Sequence, residues 1–261
     1  MFFAQIKQVI LEQSPQQKIH LLDDLYNRFM ADELPLDEQP SVDRIPVPGR
    51  PAQPELVHPS QVARRKLSSE QGRIALIHAI CHIEFNAINL ALDAAYRFQD
   101  LPIDYYRDWI RVACEEAKHF RLLEQRLHQL GSYYGELTAH NGLWEMALKT
   151  QHNLVERMAL VPRVLEARGL DVTPGMIERL REVGDHDTVQ ILDIILADEI
   201  GHVEIGTRWF KYACQRENLD SQVTFIKLLK QYDVGYSKGP LHTHARKQAG
   251  FSDQEMDALT S

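Results

Sequence analysis

Two copies of one short pattern, an acid followed by Glu-x-x-His, constrain this chain more than any other feature. They are Glu115-Glu116-Ala117-Lys118-His119 and Asp198-Glu199-Ile200-Gly201-His202, each set in a run of helical apolar period. In a helix, residues three apart project from one face a turn apart, so a carboxylate and an imidazole can reach one metal ion or two adjacent ones. Composition predicts about one Glu-x-x-His by chance, and roughly a tenth of that once an acid must come first. The chain has three. The third, Glu55-Leu56-Val57-His58, follows Pro54 in a proline-dense stretch that cannot be a regular helix, and is read as accidental.

The rest of the chain is organised around helices. Residues 1–33 read as an N-terminal helical segment, broken at Ser14-Pro15, a cap followed by a first-turn proline. Residues 34–67 hold seven prolines between Leu34 and Pro59 and read as an extended segment that either wraps the surface or tethers the N-terminus. Residues 68–216 carry four long helical patterns, over about 68–98, 103–130, 143–168 and 187–215. The third is expected to bend at Pro162 and close at Gly169, with Asp171–Gly184 as a separate short helix. The glycine-rich stretch Gly131–Gly142 is long enough to run back along a bundle. Residues 217–261 read as one amphipathic helix and a tail packed on the bundle, ending in a helix capped at Ser252.

Register then selects further ligands, because a metal site needs its donors at one height. Glu84 stands in a mostly apolar run and needs a partner, since an unpaired buried charge is costly. It lies as far before residue 100 as Glu116 lies after it, as an antiparallel pair requires. Glu156 falls midway along the third helix, whereas the competing Glu145 falls near its end. The ligand set is therefore Glu84, Glu116, His119, Glu156, Glu199 and His202. One Glu from each of two helices plus Glu-x-x-His from each of two others is the pattern of ferritin-like di-iron and di-manganese carboxylate proteins. Four carboxylates offset the charge of two divalent ions, and one imidazole per ion adds a nitrogen ligand. Glu115 and Asp198 are expected beside the ligands as acceptors of imidazole N–H groups, and His82 and His152 as further polar neighbours. The fold class expected is all-α: a ferritin-like four-helix bundle with one long crossover, plus N-terminal helices, the proline-rich segment and C-terminal helices.

Beyond this general pattern, PGRPAQPELVHP, RRKLSSEQGRIALIHAICHIEFNAINLALDAAYRF, EEAKHFRLL, ERMALVPRVLEARGLDVTP and ILADEIGHVEIGTRWF resemble the bacterial ferritin-like family catalogued as domain of unknown function 455. The resemblance runs from about residue 46 onward. It implies a ferritin-like fold and a dinuclear metal site, and no established reaction.

Composition narrows the function classes. A net charge of −8 leaves no footprint for non-specific nucleic-acid binding. The longest apolar runs are broken before the roughly 18–20 residues a membrane span needs. Three dispersed cysteines, Cys81, Cys114 and Cys214, and the lack of a signal-peptide pattern are read as a cytoplasmic location with packed thiols. The leading function is an oxygen- or peroxide-activating di-iron oxidoreductase holding two metal ions, iron with manganese as the alternative. Its substrate is undefined, homo-oligomers are compatible with it, and it needs an external electron donor, because the chain lacks a Cys-x-x-Cys iron module. A tRNA-hydroxylase-like enzyme, an iron-storage protein and a partner-binding protein with a polar core are the alternatives. His242 and His244 are read as part of a solvated tail.

Overall fold

A computed structural model describes residues 1–37, 41–62, 65–234 and 239–260. Pro40 of the proline-rich segment, Arg64 of the family-like block and Tyr236-Ser237-Lys238 of the expected tail lie outside the described residues. Among those described the chain is all-helical, and the one β feature is an isolated bridge between Leu56 and Ala139. It forms two compact units, Met1–Glu145 and Met146–Ser261.

The first unit is built on a helical hairpin, α3 (Glu70–Arg97) and α4 (Ile103–Gln129). Ser69 starts α3 by accepting from the Gly72 amide at 3.1 Å, and Glu70 and Arg97 suit the two ends of the helix dipole. Asp93 is buried near its end, neutralised by Arg97 at 2.6 Å. The turn between the helices is tied by the Tyr105 hydroxyl, which donates to the Ala94 carbonyl, and by the Leu101 amide, which donates to Tyr106. Helix α3 is the one described helix long and apolar enough to cross a membrane, contrary to the run-length reading; 72% of its apolar window is buried inside the protein.

Helices α1 (Phe2–Leu11) and α2 (Pro15–Met30) complete this core, α1 against α3 and α2 against α4. Ser14 caps α2 by accepting from the Gln17 amide, as expected. Lys18, fully buried, donates to the carbonyls of Val9 (2.7 Å) and Ile10 (2.9 Å) and to Asn89 Oδ1 on α3 (2.9 Å). Burial lowers its pKa to about 7, against the pull of Glu12. The proline-rich segment wraps this unit rather than tethering a separate one. Asp37 accepts from the amides of Phe2 and Phe3, Asp43 N donates to Tyr96, and Gly49 N to Ile10 O. A Cβ on Gly49 would sit 2.3 Å from the backbone of Leu11 and Glu12, so no side chain fits there. His58, of the accidental Glu-x-x-His, caps a short 3₁₀ turn at Pro59–Gln61.

The second unit departs from the expected helix boundaries. Helix α5 (Gly142–Lys149), which straddles the division between the units, is followed by a break at 150–153. Helix α6 (Leu154–Leu160) restarts where Asn153 accepts from the Glu156 amide at 2.9 Å. A π-helical stretch, Val161–Glu166, contains Pro162, and α7 (Ala167–Glu182) continues from it. The helix therefore neither closes at Gly169 nor leaves Asp171–Gly184 separate. Buried Leu170, Thr173, Ile177 and Leu180 form one stripe, and α7 packs through it on α8. That stripe outweighs the cost of a glycine inside a helix, about 1 kcal/mol.

Helix α8 (His186–Arg216) is capped by Asp185, and α6 and the π stretch also pack on it. The contact is close at Gly206, where a Cβ would meet the Pro162 ring at 2.4 Å. Helices α9 (Ser221–Gln231), α10 (Thr243–Gln248) and α11 (Asp253–Thr260) close the unit. The tail packs on this unit, and within it His242 is held rather than solvated, while His244 is exposed. Arg246 pairs with Asp171 at 2.7 Å, and His242 caps α10 by accepting from the Ala245 amide. Arg163, on the π stretch and fully buried, lies 4.2–4.7 Å from the rings of Phe210, Phe225 and Phe251, with Glu255 of α11 at 2.8 Å.

Candidate metal centre

The α3–α4 register places Glu84 and the α4 motif together. His119 Nδ1 lies 3.1 Å from Glu84 Oε2 and 3.4 Å from Glu116 Oε2, and all three side chains are buried. Burial alone would lower the His119 pKa, but hydrogen bonds to Glu116 and Glu84, together with both carboxylate charges, hold it up at about 11. The imidazole of the metal-free chain is therefore protonated across the neutral range. Its proton occupies the position between the carboxylates that a cation would take.

An aromatic wall stands beside these ligands. Tyr134 packs on Phe85 and Phe120, each next in sequence to a ligand, with centroids 5.6 and 5.1 Å away. His82 holds this wall rather than reaching Glu84, Glu116 or His119. Its Nε2 donates to the His140 carbonyl at 3.1 Å, which leaves Nδ1 to accept from the Tyr134 hydroxyl at 3.0 Å. Burial lowers its pKa to about 4, against the His140 bond, and burial does the same to His78, which accepts from the Gly135 and Leu137 amides. Burial likewise pushes all three thiols up, Cys114 to about 12 and Cys214 to about 11, as packed cysteines require.

In the second unit His202 is fully buried on α8, its Nδ1 3.8 Å from Glu199 Oε1, and Glu199 keeps 13% of its side chain exposed. Glu156, on the adjoining α6, accepts from the Tyr232 hydroxyl and has His152 Nε2 at 3.1 Å. Burial, the bond to Glu156 and its charge push the Tyr232 phenol up to about 12. Tyr232 was not foreseen from sequence, since nothing local marks it. Glu115 and Asp198 are half-buried, and Glu145 is exposed.

Within the first unit Glu84, Glu116 and His119 form a buried group that could hold a metal ion: one donor atom from each lies within 4.8 Å of the others. Two carboxylates and one imidazole suit a divalent ion of the iron or manganese type. His202 and Glu156 are not part of that group. Because the ion must displace the His119 proton, affinity should rise with pH by about tenfold per unit between pH 6 and 8. Calorimetric titration with Mn²⁺ in buffers of different protonation enthalpy should detect one released proton; affinity flat with pH would contradict this reading of His119.

These features define an all-helical protein with a buried carboxylate–histidine group able to hold a metal. The chain belongs to the family described as Protein of unknown function (DUF455), which matches residues 11–257. It is also 45% identical, over 98% of its length and 92% of the relative's, to an uncharacterized protein of Haemophilus influenzae. No solved structure matches it.

Proposed function

We propose that the chain is a ferritin-like dinuclear metal carboxylate protein, most simply di-iron, acting as an oxygen- or peroxide-activating oxidoreductase. The observation that carries this reading is the convergence of Glu84, Glu116 and His119 on one small buried volume, with an acid-Glu-x-x-His on both α4 and α8. Residues 68–216 would be the ferritin-like bundle, and Glu84, Glu116, His119, Glu156, Glu199 and His202 the ligands of two ions. When bound, two iron ions would supply electrons and open coordination positions for oxygen or peroxide. The chain's own residues set the conditions for that chemistry. The carboxylates offset the cationic charge, His119 gives up its proton as the site fills, and Phe85, Phe120 and Tyr134 keep water from one side. Glu115 and Asp198 would orient the imidazoles. With no Cys-x-x-Cys module in the sequence, electrons would come from an external donor.

The test is metal analysis of the full chain after anaerobic reconstitution, followed by oxygen uptake on adding ferrous iron. About two ions per chain with substoichiometric uptake supports the reading, and fewer than about one ion per chain sinks it. A large shell on a sizing column with bulk iron uptake would favour storage instead.

A further inference from the structure

Glu156 anchors a cluster that the ligand pattern did not anticipate. One of its oxygens, Oε2, accepts the Tyr232 hydroxyl and has His152 Nε2 at 3.1 Å. The three side chains come from different places: the break at 150–153, the first turn of α6 and the residue that ends α9. They grade from solvent inward, His152 being 61% exposed and the Glu156 side chain 17%. Neither lysine nor arginine meets the Glu156 charge among the described residues; the partners of its carboxylate are the phenol and the imidazole. A mostly buried carboxylate normally acquires a cationic partner. Here it holds a phenol and an imidazole, which with the carboxylate bring one nitrogen and two oxygen donors together.

We propose that His152, Glu156 and Tyr232 form a further ion site, open to solvent at His152, that takes ferric iron through an imidazole nitrogen, a carboxylate oxygen and a phenolate oxygen. A hard trivalent ion suits this set, since two of its three donors are anionic oxygens. Binding is a ligand exchange in which no electron moves. The phenol proton leaves to solvent, His152 offers a ring nitrogen that carries no proton, and ferric iron replaces the hydrogen bond at the carboxylate. The inference shares Glu156 with the dinuclear reading and otherwise stands apart from it.

The experiment is a titration of the metal-free full chain with ferric nitrilotriacetate, followed by visible absorption, resonance Raman and iron analysis. A phenolate-to-iron charge-transfer band should grow to one equivalent with tyrosinate modes in the Raman spectrum. The band should vanish in Tyr232→Phe, weaken about tenfold or more in affinity in His152→Ala, and persist in His119→Ala, whose altered residue lies in the buried group. Tyr232→Phe removes one oxygen, and circular dichroism checks that it folds; Glu156→Gln, similar in size, should also lose the band. Bound iron without a band, no bound iron, a band that survives Tyr232→Phe, or a band lost in His119→Ala would each overturn the site. Failure of the dinuclear reading looks different: His119→Ala would then bind as much Mn²⁺ as the unaltered chain, while the ferric band remained.

Discussion

Glu116→Ala is expected to strip the buried group of its metal, leaving less than about a tenth of the unaltered chain's content after anaerobic reconstitution and dialysis. Glu116 is buried 3.4 Å from His119, on the same helix and one turn away, so its loss removes a donor and much of the negative charge a cation would meet. The same variant separates a metal role from a folding role. A metal ion at a hundredfold its Kd stabilises the chain by about 2.7 kcal/mol, which corresponds to several degrees in Tm for a protein of this size. Adding Mn²⁺ should therefore raise the melting temperature of the unaltered chain and leave that of Glu116→Ala unmoved. An equal shift in both would show that the ion binds elsewhere. Metal-free, the two chains should also differ in pH dependence. The His119 contribution is fully present below the unfolded pKa of about 6.5 and is lost as pH rises towards the folded value near 11, and the variant has less of it to lose.

The largest stability effect is expected at Arg163. Replacing it with methionine leaves Glu255 buried without its guanidinium partner and empties a cage of three phenyl rings. Breaking a buried pair in this way costs about 3–5 kcal/mol. Arg163→Met should show this in urea unfolding, whereas the double variant Arg163→Met/Glu255→Leu should recover most of the loss, since an apolar pair removes the stranded charge. Equal losses in the single and double variants would place the energy in the cation–ring contacts rather than in the ion pair. Neither variant touches a proposed ligand, so metal content per folded chain should not change.

How far these features were legible in sequence depends on the range of the interactions behind them. The limits of α3, α4 and α8 follow from caps and periodicity within a few residues, at Ser69 and Asp185 for example, and could be read directly. The pairing of Glu84 with the α4 motif was also legible, because a short turn makes an antiparallel register a matter of counting. The segment from 143 to 184 departs from its local pattern. Gly169 and Pro174 are local breaking signals, and the stripe packing α7 on α8 overrides them. Lys18 and Arg163 gave no sign of being buried, because Asn89 and Glu255 lie 71 and 92 residues away from them in the chain. The tail around His242 looked solvated for the same reason, its anchor Asp171 being remote in sequence.

Sequence by itself determined that the chain is helical and that Glu116 with His119, and Glu199 with His202, share helix faces. A spacing of three residues is a property of the helix and needs no partner. Only the tertiary structure decided what each carboxylate meets. It brought Glu84 to 3.1 Å from His119, yet gave Glu156 to Tyr232, 76 residues away in the chain. The physical reason is that a side chain's neighbours within its own helix follow from backbone geometry alone. Its neighbours across the core depend on how distant segments pack to bury apolar surface, and no local pattern records that.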